Sequence, residues 1–433
     1  MNGHTVPVSD ASLILGLVIV TALVFDFTNG FHDTANAMAA SISTGALKPK
    51  AAVALAAILN LVGAFLSVEV ALTVTNAVVK IQDSAGAPVE AVLVDDGNKL
   101  LLVVLCGLVG GILWNLFTWL LGLPSSSSHA LLGGLTGSAA AAFGLSGVRW
   151  TGDGTQLDGV VGKVLIPSFI SPVIAMIVAF VGCWVVHRIT NSVMDRLSER
   201  TFRWGQIGGA SLVSLAHGTN DAQKTMGVMT LALLASGHWT DTDSVPVWVK
   251  VSAAVAIALG TYLGGWRIIR TLGKGLVDIT PRQGMASDGS TAAVILAASH
   301  LGFALSTTHV ATGSVLGGGL GRGTHVRWHT AGRMVTAWAT TFPIAALIGA
   351  LTFWLGQALG YTVGALVVFA ILTAASAWMY RRSRQGHVGA HNVNAEWDEP
   401  TDLLPKDPEV LEQMNIEAAK RVGVDQSHPG GDR

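Results

Sequence analysis

Several long stretches of this chain contain no charged residue: Leu100 to Leu123, Val164 to Val186, Val335 to Leu359 and Val363 to Tyr380. Each is close to the roughly 20 apolar residues that an α-helix needs to cross the hydrocarbon of a bilayer. Pro167 and Pro172 fall inside the second stretch, and lipid-embedded helices tolerate proline where neighbours satisfy the backbone. Further apolar segments run through Ala11 to Gly45, Ala51 to Val79, Ala130 to Gly147, Ile207 to Ser236, Val245 to Trp266 and Thr291 to Leu320. The expectation is an all-α polytopic membrane protein with roughly ten to twelve membrane segments.

Composition agrees where it matters. Charged residues make up 12% of the 433 residues, and hydrophobic types 51%. Soluble domains carry about twice that charged share. The net charge of -1 leaves no basic field for nucleic acid. Met1 to Asp10 has no positive n-region, so no cleavable signal peptide is expected. Cys106 and Cys183 both lie in apolar runs and form no metal-ligand pattern, and no resident metal or cofactor is expected.

Basic loops set the orientation. Lys48 to Lys50, Arg188 to Arg203, Arg267 to Arg282, Arg322 to Arg333 and Arg381 to Arg384 are basic, while Lys80 to Lys99 carries Asp83, Glu90, Asp95 and Asp96. With the basic loops on the cytoplasmic side, the N-terminus lies outside and the C-terminal tail inside. The two halves then cross the membrane in opposite directions. The expected organisation is a first transmembrane repeat over 1–190, a cytoplasmic connector over 191–204, a second, inverted repeat over 205–382 and a polar, largely flexible tail over 383–433. Within the tail, Asp407 and Pro408 cap a short predicted helix reaching Arg421.

The repeat is legible in motifs. Gly30-Phe-His-Asp33-Thr-Ala-Asn36-Ala-Met38 matches Gly218-Thr-Asn-Asp221-Ala-Gln-Lys224-Thr-Met226, with Gly, Asp and Met at one spacing. Ser126-Ser127-Ser128-His129 matches Ser306-Thr307-Thr308-His309, and Gly follows each His by four and by eight residues. Two motifs repeated in order, on oppositely oriented halves, imply two inverted-topology repeats, an architecture of secondary transporters.

Asp33 and Asp221 stand in or beside apolar segments, where a carboxylate is costly and marks a function. The run from Ala11 to Gly45 is long for one span, so a break is expected at Asn29 to Asp33. Broken helices expose backbone groups to ions. Asp33 and Asp221, with Asn29 and Asn220, are the candidate coupling-cation residues; alone, each Asp is equally a helix cap. The hydroxyl clusters Ser126, Ser127, Ser128 and Ser306, Thr307, Thr308 are expected at the tips of helical hairpins. There each precedes a new helix whose N-terminal amides attract an oxyanion. Asn36 joins them as a candidate anion-binding residue; simple capping is the plainer alternative. His32, His217 and Lys224 are candidate proton-carrying or charge-balancing groups. His129 and His309 suit hydrogen bonding to the hairpin backbone better. Asp288 precedes Gly289-Ser290-Thr291 and reads as a helix cap.

These motifs resemble those of the PiT family of inorganic phosphate transporters, in particular its bacterial low-affinity members. The resemblance rests on Asn29-Gly-Phe-His-Asp-Thr-Ala-Asn36, Gly122-Leu-Pro-Ser-Ser-Ser-Ser-His129, His217-Gly-Thr-Asn-Asp-Ala-Gln-Lys224 and Ser306-Thr-Thr-His309, and covers Ala11 to Tyr380. It implies an all-helical inverted repeat with phosphate held between the halves. It also implies Asp33 and Asp221 as cation and substrate residues, and the two hydroxyl clusters as hairpin tips. Members of the family couple to sodium or to protons, some carry neutral metal–phosphate complexes, and some relatives carry sulfate. Sodium-coupled members have Glu where this chain has Asn60, which favours protons here. No His-Glu-x-x-His or Gly-x-Ser-x-Gly motif occurs, so an enzyme is not expected. The reading is a phosphate importer working by proton symport, with sodium symport or sulfate transport as alternatives. Its partners are phosphate, with or without a divalent cation, and the lipid bilayer. Homo-oligomerisation is left open.

Overall fold

The computed structural model describes residues 10–71, 97–151, 159–190, 195–241, 244–301, 303 and 305–395. The acidic stretch of the loop before Lys99 and the helix expected at Asp407 to Arg421 lie outside these residues. Among the described residues the secondary structure is helical, apart from one isolated bridge between Val277 and Val326. In chain order the helices are α1 (Asp10–Ser43), α2 (Pro49–Gly63), α3 (Asn98–Leu120), α4 (Ser127–Phe143) and α5 (Ile166–Thr190), the last entered through a π-turn at Val161–Leu165. Then come α6 (Asp195–Ala235), α7 (Val247–Leu263), α8 (Trp266–Lys274), α9 (Pro281–His300), α10 (Thr307–Arg322), α11 (Trp328–Ala358) and α12 (Tyr361–Ser383).

Local sequence explains the ends. Pro49 sits in the first turn of α2, where a missing N–H costs nothing. Thr280 and Gln283 close a capping box over Pro281 to start α9. Ser126 and Ser306 cap α4 and α10, each accepting from the backbone N–H three residues on, that of His129 or His309. Gly264, with φ of 72°, takes the left-handed conformation that separates α7 from α8.

Among the described residues, five helices are long and apolar enough to cross a membrane, and six if α7 and α8, bent by 65° at their break, count as one span. The difference from ten to twelve has physical causes. α4 and α10, at 17 and 16 residues, are shorter than a span because each begins at a hairpin tip inside the protein. α6 carries so many polar groups that its mean hydropathy is too low to read as lipid-facing. The expected break at Asn29 to Asp33 is not there. α1 is continuous through 34 residues, and α6 through 41. His32 and Asp33 find partners on other helices, Thr118 and Thr308, so α1 has no need to open its backbone there. α6 also begins at Asp195, so the part of the expected connector from Asp195 onward is helical.

The two halves pack by exchange. α1 lies on α7 while α6 lies on α2; α4 lies on α11 while α10 lies on α5. Glycine makes these approaches possible, and it does so in matched pairs. A Cβ at Gly30 or Gly218 would strike the backbone carbonyl of Ile257 or Asn60. A Cβ at Gly133 or Gly137 would strike the carbonyls of Phe342 and Ala346, and one at Gly313 or Gly317 those of Pro172 and Met176. These are the glycines four and eight residues after His129 and His309. Close backbone approach through small residues is how helices associate in lipid.

The main apolar core surrounds α3, where Leu100 to Leu105 and Leu108 to Ile112 are buried against α1, α4, α11 and α12. A second core joins the end of α1 to α2 and α8.

The basic loops gather at one end. Thr44 donates to Gln206 Oε1 at 2.8 Å, the Arg282 guanidinium lies over the Phe202 ring, Arg327 pairs with Asp278 at 3.2 Å, and Arg267 donates to the Ser383 carbonyl at 2.7 Å. The first residues of the expected tail are therefore docked: Asn394 Nδ2 donates to the Ile42 carbonyl at 3.0 Å. Asp288 is not a cap. It lies within α9, buried beside Gly209, and Thr280 does the capping.

Candidate substrate and cation site

Asn29, His32, Asp33 and Asn36 share one face of α1, because helical neighbours recur at three and four residues. His217, Asn220, Asp221 and Lys224 stand at the same spacing on α6. The two faces meet in the interior. His217 Nε2 lies 2.8 Å from Asp221 Oδ2 and 3.9 Å from Asp33 Oδ2. Asp33, Asp221, His217 and Lys224 are each 1% exposed, so the site is closed to solvent on both sides.

The hairpin tips complete it. Thr307 donates to Asp221 Oδ2 at 3.0 Å, and Thr308 to Asp33 Oδ1 at 3.3 Å. Asn36 Nδ2 donates to Thr308 Oγ1 at 3.0 Å. From the other tip, Ser128 Oγ accepts from Lys224 Nζ at 2.6 Å. Lys224 also pairs with Asp221 and reaches the Leu305 carbonyl at 3.2 Å. The ammonium thus sits among a carboxylate, a hydroxyl and a carbonyl oxygen, a shell that a bare monovalent cation would also accept. Burying this charge is tolerable because it is paired and hydrogen-bonded.

The Asp33 side is built differently. His32 Nδ1 lies 2.7 Å from Asp33 Oδ1. The other ring nitrogen of His32 lies 3.4 Å from Thr118 and 3.3 Å from Ser125, which are themselves 2.7 Å apart. Thr118 lines a cleft of about 570 Å³ whose walls include His329 and Arg333. Asp33 Oδ2, Asn29 Oδ1, Asn36 Oδ1 and Ser127 Oγ are buried without a hydrogen-bond partner among the described residues. Buried polar atoms normally have one, so these mark room for a ligand. Asp33, His217 and Asp221 can each turn one donor atom to within 4.8 Å of the others, a spacing that suits a cation.

Most of the residues singled out in the sequence come together here. The exceptions are Ser126 and Ser306, whose hydroxyls are engaged as helix caps, and Asn220, whose amide donates to Ser299 Oγ at 2.9 Å while its Oδ1 stays unpartnered. His129 and His309 stand behind the tips. His129 Nε2 lies 2.6 Å from Ser168 Oγ, its ring meets His309 edge-on at 4.8 Å, and His309 stacks on Trp338. Asn60 is a support for His217: it donates to Thr261 at 2.8 Å, and its Oδ1 faces His217 Nδ1 at 3.2 Å. Sequence reasoning missed Thr118, Ser125, Thr225 and Asp26. For Asp26 there was a signal, a lone acid in the apolar run before Asn29.

The description "Phosphate transporter family" matches residues 29–349. The chain belongs to this family. It is 56% identical over 389 residues to a protein of Mycobacterium bovis described as "Probable low-affinity inorganic phosphate transporter", covering 89% of this chain and 88% of the relative. A Bacillus subtilis protein of the same description is 40% identical over 348 residues, covering 80% of this chain and 98% of that one. The solved structure "The sodium-dependent phosphate transporter" superposes with a TM-score of 0.68 at 22% identity, over 80% of this chain and 99% of that chain, which establishes a shared fold. The family is one of transporters, not enzymes.

Proposed function

We propose that this chain is a secondary active transporter that imports inorganic phosphate across a bacterial cytoplasmic membrane by symport with protons. The observation that carries this reading is the closed site where both signature carboxylates meet one hydroxyl tip and Lys224 meets the other. Ser127, Ser128, Thr307, Thr308 and Asn36 are the hydrogen-bonding groups for phosphate, beside the N-termini of α4 and α10. Asp33 and Asp221 serve the cation and accept from the proton that phosphate retains at neutral pH. Sulfate has no proton to offer them, and this favours phosphate. The Asp33–His217–Asp221 set is suited to the metal of a neutral metal–phosphate complex.

Protons are favoured over sodium for two reasons. Asn60 supports His217 and brings no extra carboxylate. Lys224 already places a fixed positive charge against Asp221, among oxygens that sodium would otherwise use. The sodium reading retains one observation, the unpartnered oxygens of Asn29, Asp33 and Asn36. Gathering of the basic loops at one end supports a cytoplasmic C-terminal tail and inverted repeats.

The test is uptake of labelled phosphate into proteoliposomes holding the purified protein. Concentrative uptake driven by a proton gradient without sodium, abolished by a protonophore and indifferent to excess sulfate, is the expected result. Uptake only after sodium is added overturns the choice of proton, and competition by sulfate overturns the choice of substrate.

A further inference from the structure

Asp26 lies on α1 seven residues before Asp33, two turns away on the same face. Its side chain is wholly buried, and neither carboxylate oxygen has a hydrogen-bond partner among the described residues. Thr225 of α6, close by, is likewise buried with its hydroxyl unpartnered among the described residues. The charged and titratable groups acting on it are Asp221, His217 and Lys224, all from α6. Asp26 therefore borders the phosphate site without belonging to the set of donors described above.

The two signature carboxylates are engaged by partners. Asp33 has His32 and Thr308; Asp221 has Lys224, His217 and Thr307. Asp26 has no such partners, and an ionised carboxylate in that position is costly. Its uncharged form is the one this closed surrounding accepts. The repeat sharpens the point. Counting from Gly30 and Gly218, the second-half counterpart of Asp26 is Ser214, whose hydroxyl is spent on the Ala210 carbonyl at 2.9 Å. The counterpart of Lys224 is Asn36. The two halves thus differ by one added acid and one added base on facing stretches of α1 and α6.

We propose that Asp26 is the carrier of the coupling proton, which rests on the proton-symport reading above. Its carboxylate takes a proton from water when the site opens outward. It stays neutral while the site is closed, and returns the proton to water when the site opens inward. Phosphate and proton then cross in one closure. Lys224 keeps a fixed charge opposite Asp221 throughout, so that the charge which changes is that of Asp26.

The experiment compares full-length wild type, Asp26→Asn, Asp26→Ser and Asp26→Glu in proteoliposomes, measuring two things. One is phosphate accumulation under an inward proton gradient. The other is exchange of labelled for unlabelled phosphate at equal pH, which needs no net proton movement. The expected result is that Asp26→Asn and Asp26→Ser lose accumulation down to the equilibrium level, yet exchange phosphate within about threefold of wild type, because binding is untouched. Asp26→Glu restores accumulation with a displaced pH midpoint. Accumulation at the wild-type ratio in either neutral variant overturns the proposal. So does loss of exchange together with accumulation in both neutral variants, which makes Asp26 a packing residue. A wild type that accumulates phosphate on a sodium gradient alone instead overturns the proton reading itself, a failure visible before any variant is examined.

Discussion

The α1 and α6 halves of the site share a spacing and differ in charge. On α1, Asp33 is met by a histidine and a hydroxyl, the neutral amide of Asn36 donates to that hydroxyl instead, and several oxygens are left without partners. On α6, Asp221 is met by a histidine, a hydroxyl and the ammonium of Lys224, and its oxygens are engaged. On the function proposed above, one half is an open cation position and the other a filled one. A site built from two copies of one motif need not bind two copies of one ion. A single substitution within the motif turns one position into a fixed charge.

The strongest way to break this comparison is to remove either carboxylate. Asp33→Asn and Asp221→Asn are each expected to lower phosphate uptake by at least about 100-fold, since breaking a buried charge pair costs roughly 3 kcal/mol or more. Membrane insertion stays normal; wild-type uptake in either variant removes that residue from the site. Next comes Lys224→Asn, which gives α6 the residue of α1. Uptake without sodium is expected to fall about tenfold or more, with part of it regained in sodium, because the vacated oxygens suit that ion. If sodium brings nothing back, the ammonium is not standing in for a cation.

The packing of the halves can be compared in the same way. Gly137→Val and Gly317→Val each force a side chain into a facing backbone, and each is expected to destabilise the detergent-solubilised protein by about 1–3 kcal/mol. A drop in melting temperature for one and none for the other shows that the two crossings are not equivalent. The smallest effect is expected of the caps. Ser126→Ala and Ser306→Ala lose about 1 kcal/mol of stability each and keep uptake within roughly twofold. A tenfold loss of uptake places those hydroxyls on phosphate.

Much of this was legible because it repeats. Asp33 with Asp221, and the two hydroxyl clusters with their trailing glycines, were visible as spacings, and spacing survives when the surroundings change. What stayed hidden depends on three dimensions. Nothing local says that Ser126 turns inward to its own helix while Ser128 reaches Lys224, or that the glycines after His129 face a helix two hundred residues on. Asp26 was hidden for the opposite reason: it has no repeat partner, and a single acid at the end of an apolar run reads as the edge of a span. The continuity of α1 was misjudged because polarity inside an apolar run suggests a break. Here the polar face of α1 meets the polar faces of its neighbours, and the helix stays whole.

The exchange of hairpins between halves has a consequence for how the protein is made. When α4 leaves the ribosome its glycine face has no partner, because Phe342 and Ala346 lie some two hundred residues downstream. The first half must wait in the bilayer with that face bare until α11 arrives. The two halves are therefore not separable folding units, and a chain truncated before α11 leaves an unpaired surface within reach of membrane quality control.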